Sequence, residues 1–471
     1  YVGPFQERIL ALIDANQQKL HPMDLSMKST QYFSGSVKHF TGTIPPLSAL
    51  ALLDVGHVLA DLDRLQSTID PIHPMDSPNA SALDQMTVEE YLLQHTVSDD
   101  ARNAMRVAVR AVLAAEPSEI SLLGWCWYVR QSGGIRRILE TEGGAQDSKV
   151  VGGAGKIAVL AAQRLSVGSV LTNSPIRSVD YSSPDVVSLV TRSGATFYCR
   201  RLVLAIAPVQ QLRIEYHPPL DANRIMSLQR WPMGHAIKTF VYYKEAFWRK
   251  KGLNGTAVCD KGISYVCFED TKSDGSKPCI MGFVISDMAA KVASLTQAER
   301  CEMLTQHYAT IFETDEALYP VGYKDKVWAE DPWVGGCYVG TMAPMVLTKY
   351  RLAHRDPIDK RIFIAGTESA YTMVGYMDGA VEAGERNARN ALVSLGKLGA
   401  EFYDVISEPG PSPQLPRNSM ELSFWEKHVP NVHAIFATGT YVAAAVVGIV
   451  GALTFVRCVP SANRWLIRGQ Q

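Results

Sequence analysis

One stretch limits the possible folds of this chain more than any other: the apolar run Arg361–Gly366 (RIFIAG), then a short loop, then GYMDGAVEAGERNARNALVSLG. A short apolar run without polar alternation is the pattern of a strand buried on both faces. The segment after it sets small or apolar residues at Ala380, Ala383, Gly384, Ala388, Ala391 and Leu392, one face of a closely packed helix. Strand, short loop and small-faced helix is how dinucleotide-binding α/β layers are built. A second run, RRLVLAIAP from Arg200 to Pro208, reads the same way and ends in a small-residue and proline turn.

With 471 residues the chain exceeds one ordinary core, so two globular units are expected, with room for a sizeable buried site. A net charge of −1 gives no bias toward polyanions, which excludes nucleic acid as a partner. The eight cysteines form no CxxC pair and no metal-ligand spacing, so reduced thiols in a cytosol-facing protein and no metal site are expected. The sequons at Asn79 and Asn254 are read as chance, because the N-terminus does not resemble a signal peptide. From about Ala51 to Arg137 the chain reads as mainly helical, with amphipathic spacing in DDARNAMRVAVRAVLAA, and is expected to roof a cavity.

Near the C-terminus, Ala434–Val456 runs for 23 residues without a formal charge, enough to cross the roughly 30 Å core of a bilayer as a helix. Arg457, Arg464 and Arg468 follow with no acid among them. A tail anchor is expected, with the bulk of the protein on the cytosolic side of the mitochondrial outer membrane. The Pro- and Ser-rich stretch Ser407–Ser419 reads as the linker to it.

The nearest dinucleotide fingerprint is Gly153-Ala-Gly155-Lys-Ile-Ala158, and it is weak, since no acid follows at the required spacing in a βαβ context. Ile157 stands where a phosphate-binding Walker loop needs Ser or Thr. A more specific pattern is Gly335-Gly336-Cys337-Tyr338 followed by FIAGTESAYTMVGYMDGAVEAGER, Phe363–Arg386. This pair resembles the C-terminal flavin-binding signature of the monoamine oxidases, within the flavin-containing amine oxidase family. YVGPFQERIL at Tyr1, WYVRQSGG at Trp127, KVVGGAGKI at Lys149, WPMGHAIKTFVYYKEAFW at Trp231 and EDTKSDGS at Glu269 are similar to the same family in the same order. With the anchor included, the resemblance spans essentially the whole chain.

The resemblance implies an α/β fold in which a Rossmann-like FAD-binding domain of the glutathione reductase type is interleaved with a mixed α+β substrate domain, plus the transmembrane helix. The implied division is 1–20, 151–225 and 331–397 for FAD binding, and 21–150 and 226–330 for substrate. A linker follows at 398–433, then the helix at 434–456 and a basic tail at 457–471. It implies covalent FAD, held by Cys337 as a thioether to the flavin 8α-methyl. Tyr338 and Tyr376 match the two tyrosines that form an aromatic cage, which orients an amine without an anionic trap. Lys238, in the strand-like AIKTFVYY, matches the lysine that holds a water against flavin N5. Trp328 matches a tryptophan lining the flavin, Ile176 the position whose backbone reads adenine, and Gln146 a glutamine that orients substrate. Leu139 and Val266 match the gating positions, while Tyr265 and Phe283 are further wall candidates. Gly366, Thr367, Glu368, Gly375 and Met377 belong to the strand, loop and helix around the flavin. The positive helix end near Met377 would face the flavin pyrimidine carbonyl, where charge accumulates on reduction.

The implied reaction is oxidative deamination of a primary arylalkyl amine to aldehyde and ammonia, with oxygen reduced to hydrogen peroxide, in a membrane-bound homodimer. Rival readings are a polyamine or amino-acid oxidase of the same fold, needing acidic or arginine groups in the pocket, and a tail-anchored relative that has lost FAD binding. Two departures from the family stand out. No GxGxxG turn or ribose-binding acid precedes Tyr1, and the sequence is expected to be part of a longer protein. After Cys337, CYVGTMAP replaces the usual aromatic and double-proline pattern, so Met342 and Ala343 should alter the local turn.

Overall fold

The computed structural model describes residues 1–42 and 45–407. The expected anchor, Ala434–Val456, and its linker from residue 408 on lie outside the described residues. Among the described residues no helix is long and apolar enough to cross a membrane.

A seven-stranded mixed sheet forms the larger layer, in the order Gly322–Val327, Ala236–Tyr242, Cys279–Ile285, Val266–Glu269, Leu253–Cys259, Lys28–Phe33, Ser36–Phe40. Every pairing in it is antiparallel except that of Leu253–Cys259 with Lys28–Phe33. Strand alternation divides its side chains between two faces. Ile237, Val241, Ile280 and Val284 point one way and are sealed by Leu304, Tyr308, Ile311 and Phe312 of the helix Gln297–Phe312. That helix begins at a reciprocal capping box between Thr296 and Glu299, which satisfies backbone donors that would otherwise be left free. The opposite face carries Lys238, Phe240, Met281, Phe283, Val266 and Phe268. Part of it packs against Ala104, Val107 and Ala111 of the helix Asp99–Leu113.

Asp99–Leu113 belongs to a helical layer with Ala49–Ser67, Val88–His95 and Leu122–Gln131, whose core holds Trp125, Trp127 and Trp231 fully buried. The Met342 side chain is buried in this core. A Cβ added to Gly124 would come within 2.6 Å of the Met342 Cβ, so the departure after Cys337 is accommodated by a glycine on the neighbouring helix.

The second layer is smaller. Leu202–Leu204 pairs in parallel with Ile362–Ile364, and a four-stranded sheet, Thr196–Cys199, Val187–Thr191, Ile176–Asp180 and Glu215–His217, lies beside it in sequence. After Ile362–Ile364 come a short 3₁₀ turn and the helix Met377–Ser394, as the sequence pattern anticipates. Two details differ from that pattern. Val203 is 39% exposed, because among the described residues its strand has a single sheet neighbour and the pair covers one face only. The buried face of Met377–Ser394 is only partly the small-residue stripe: Ala383 and Ala391 are buried, but Ala380, Ala388 and Leu392 are exposed, and Asp378, Glu382, Arg386, Asn387 and Asn390 share the buried face. These polar groups go inward because partners await them there. Arg386 pairs with Glu382 at 2.8 Å and donates to the carbonyl of Ser369, and Asn387 donates to the carbonyl of Ile364.

Candidate active site

The site is laid out by sheet register. Lys238 stands opposite Phe283, and Phe283 opposite Val266, so these three share one row; Phe240, Met281 and Phe268 form the next row on the same face. The Lys238 ammonium lies 5.4 Å from the ring centre of Phe283 and 5.6 Å from that of Phe240. No carboxylate pairs with it among the described residues. Burial lowers its pKa, with Asp270 and Cys337 pulling the other way and Lys149 reinforcing the fall. An ammonium ion held by ring faces is the polar exception in an otherwise apolar surface.

Cys337 and Tyr338 reach this row on a segment fixed by backbone pairing. Cys337 N–H donates to Gly234 O at 2.8 Å, and Gly234 N–H donates to Val339 O at 3.1 Å. Gly336 adopts φ +148°, and a Cβ there would lie 2.3 Å from the Met233 Cβ, so only glycine fits before the cysteine. Tyr338 meets Phe283 edge to face, with centroids 5.8 Å apart and planes at 77°. Burial pushes the Cys337 thiol up to about 11, while the nearby Lys238 charge draws it down.

Tyr376 arrives from the second layer. It is the N-cap of Met377–Ser394 and makes no side-chain cap, so the first N–H groups of that helix lack the usual acceptor. Thr367 pins the turn, its hydroxyl accepting from Gly375 N–H at 2.9 Å and donating to Tyr376 O at 3.0 Å. Gly375 has φ +83°, and a Cβ there would meet Val339 at 3.0 Å and Tyr128 at 3.1 Å, so the turn carrying Tyr376 presses on the segment carrying Tyr338. Glu368 ties the same two segments: it is buried, its carboxylate accepts from Gly340 N–H at 3.1 Å, and burial raises its pKa.

Cys337, Tyr338, Phe283, Tyr265 and Val266 thus share one apolar cluster, with Lys238 in its sheet row. Tyr376 and Leu139 pack against the edge of the helical core. Trp328 directly follows the strand that pairs with that of Lys238, and the Lys326 ammonium lies 5.5 Å from its ring centre. Ile176 opens a strand of the four-stranded sheet and belongs to a different cluster, with Leu204 and Ile362. Gln146 turns its amide, in the orientation that satisfies its neighbours, to the carbonyls of Ile138 and Glu140 at 3.1 and 3.2 Å. It braces the turn after the helix Ile135–Leu139.

Five residues at the site escaped sequence reasoning, the buried Gln6 among them. Phe268 meets Phe283 at 6.2 Å and Tyr1 at 6.0 Å, extending the aromatic wall by two rings. Period-two alternation from Val266 was the signal that could have found it. Tyr128 stacks on Tyr376 at 6.0 Å and 26°, and Phe5 packs against Tyr376, Met373 and Ala145. An open depression of about 430 Å³ lies elsewhere, on the four-stranded sheet, lined by Asp180, Ser182, Ser183, Val186, Ser188 and Tyr198, and it touches none of these groups.

An aromatic wall with one lysine and one cysteine, set against an uncapped helix start in an α/β layer, suits a planar redox cofactor that gains negative charge on reduction. The family model for flavin containing amine oxidoreductase matches residues 15–392, and the chain belongs to that family. It is 35% identical over 438 residues to amine oxidase [flavin-containing] A of Bos taurus, covering 92% of this chain and 82% of the relative. It is also 35% identical over 436 residues to amine oxidase [flavin-containing] B of Rattus norvegicus, covering 92% and 83%. Among solved structures, cyclohexylamine oxidase from Brevibacterium oxydans IH-35A superposes with a TM-score of 0.78 at 26% identity, covering 84% of this chain and 86% of that one. Putrescine oxidase bound to putrescine gives a TM-score of 0.79 at 23% identity, over 83% and 87%, a likeness of fold. The protein is therefore an FAD-dependent amine oxidase of the monoamine oxidase type. The residues present fit the flavin end of that cofactor, because the helix at Met377 starts uncapped and a buried carboxamide beside it, that of Gln6, has no partner.

Proposed function

We propose that this chain is a monoamine oxidase, converting primary arylalkyl amines to aldehyde, ammonia and hydrogen peroxide. The observation that carries the reading is the meeting of Lys238, Phe283 and Tyr338 on one sheet face, with Cys337 beside them. FAD supplies the two-electron acceptor and its reoxidation by oxygen. Tyr338 and Tyr376 orient the amine through their ring faces, and Phe283, Val266, Tyr265 and Leu139 exclude water from its organic part. Lys238 offers Nζ as the polar atom in this surround; its lowered pKa raises the fraction of neutral amine, the form able to accept a proton. Cys337 carries the flavin as a thioether. In this reading 1–20, 151–225 and 331–397 bind FAD, and 21–150 and 226–330 shape the substrate space. Thr367, Glu368, Gly366, Gly375 and Met377 line the flavin, with Trp328 beside it, Ile176 at the adenine and Gln146 acting through the turn it braces. The uncharged stretch Ala434–Val456 supports anchorage to the mitochondrial outer membrane with the body on the cytosolic side, and we extend the reading to a homodimer there.

A diamine substrate would need a free acid for its second ammonium. Asp270, the carboxylate whose charge Lys238 feels, pairs with Lys149 at 3.1 Å, and its neighbour Glu269 pairs with Arg249 at 2.8 Å. The test is peroxide release by the full-length protein with phenylethylamine or putrescine, followed by acid precipitation. Turnover of phenylethylamine and a yellow pellet are expected. Turnover of putrescine alone would overturn the substrate class, and a colourless pellet the thioether.

A further inference from the structure

Gln6 is 1% exposed, and neither atom of its side-chain amide has a hydrogen-bond partner within the described residues. A buried carboxamide left unpaired is costly, so native proteins rarely keep one without a ligand or water to meet it. Gln211, on the short helix Pro208–Gln211, is in the same state, whereas Gln131 spends its amide N–H on Pro71 O. The backbone of Gln6 is fully employed: its N–H donates to Gly3 O and its carbonyl accepts from Leu10 N–H, both at 3.1 Å. The side chain is therefore fixed at the start of the helix Glu7–Ala15 without capping it.

The neighbours of Gln6 place it beside the turn that starts the helix Met377–Ser394. Phe5, on one side, packs against Met373 and Tyr376. On the other side, the N–H groups of Arg8 and Ile9 both donate to Asp378 Oδ1, at 2.8 and 2.9 Å. Gln6 is thus bracketed by residues that grip the turn Met373–Asp378, where the uncapped helix Met377–Ser394 begins. The pyrimidine ring of a flavin presents an N–H donor between two carbonyl acceptors. A primary carboxamide carries the complementary acceptor and donor on adjacent atoms.

We propose that the Gln6 carboxamide binds the donor–acceptor edge of the flavin pyrimidine ring, alongside the free N–H groups at Met377. This rests on the flavin position proposed above. A donor at that edge favours the reduced flavin, whose added negative charge spreads onto the pyrimidine carbonyls.

The experiment uses the full-length flavoprotein, equilibrated with a redox dye and followed by visible absorption. Gln6→Leu keeps the volume and removes both polar atoms; Gln6→Glu keeps an acceptor, removes the donor and adds charge. For Gln6→Leu the equilibrium constant for flavin reduction should fall about tenfold, as expected for one lost hydrogen bond to a charged group, with a shifted visible spectrum. Gln6→Glu should fall further, and it carries the test by itself if the leucine variant does not fold. Unchanged reduction and unchanged spectrum in folded, yellow variants would overturn the proposal, including when only their unfolding midpoints move. A colourless wild-type protein would instead overturn the flavin reading beneath it.

Discussion

The two layers of this protein are held together by different physics. In the seven-stranded sheet, apolar side chains such as Ile237, Val241, Ile280 and Val284 meet Leu304, Tyr308, Ile311 and Phe312, and all of these are completely buried. Around the parallel pair, strands of three residues are backed by a helix whose inner face sets Asp378, Glu382, Arg386, Asn387 and Asn390 among the small residues Gly379, Ala383 and Ala391. The first arrangement gains free energy from area removed from water and tolerates no holes. The second gains little from area, but its hydrogen bonds fix Tyr376, Thr367 and the helix start to one geometry, as a cofactor requires. Substitutions should therefore separate: stability in the first layer, redox chemistry and pH response where the second meets the site.

The largest effect is expected at Phe312, which is fully buried and meets Phe247 with ring centres 5.9 Å apart. Phe312→Ala should cost about 3–5 kcal/mol in denaturant unfolding, as a large-to-small change in a closed core does. The remaining folded protein should keep its colour and its turnover per flavin. A cost under about 1 kcal/mol would mean that the layer can collapse around the hole and is not tightly packed.

Asp378 tests the other layer at the next magnitude. Burial raises its pKa to about 6, although the N–H groups of Ile9 and Arg8 and the Arg8 charge lower it. A carboxyl group whose folded pKa lies above its unfolded value of 3.8 contributes stability below that value and loses the contribution as pH rises through about 6. The difference of roughly two units corresponds to about 3 kcal/mol. Asp378→Asn keeps an oxygen to accept both N–H groups and does not titrate. The variant should gain about that much relative to wild type when unfolding is measured at pH 7 instead of pH 4. A difference that does not change with pH would break the contrast between the layers, leaving Asp378 as an ordinary cap.

Much of this was legible in the sequence, for reasons that also mark where legibility ends. The run at Ile362–Ile364 and the helix start at Met377 are local signals, strong because a parallel strand must be apolar on both sides and a helix must begin somewhere. AIKTFVYY reads as a strand, but it is apolar on both phases, so the pairing of the sheet, and not the sequence, puts Lys238 on the face opposite Ile237 and Val241. The inner face of Met377–Ser394 was not legible, because Arg386 and Asn387 belong inside only when Ser369 and Ile364 offer carbonyls, and those contacts are tertiary. Gln6 was missed for a related reason. A glutamine at a helix start reads as solvated, and only coordinates reveal that its amide is enclosed without a partner. The parallel pairing of Lys28–Phe33 with Leu253–Cys259 joins distant segments that no local pattern connects.

Lys238 stands where the sheet meets the site, and it gives the smallest but most discriminating effect. Its side chain leaves the well-packed sheet from the face that holds the aromatic wall, and burial makes its charge costly. Lys238→Met preserves the length of the stem while removing the cation, so unfolding should be no easier than in wild type. Turnover or flavin reoxidation should slow by about a hundredfold, the scale of a lost proton-handling group in an apolar site. The two measurements separate the alternatives. A variant that loses stability and keeps its rate would make Lys238 a structural residue of the sheet. One that keeps stability and loses rate assigns that position to the chemistry and leaves the stability of the layer to its other face.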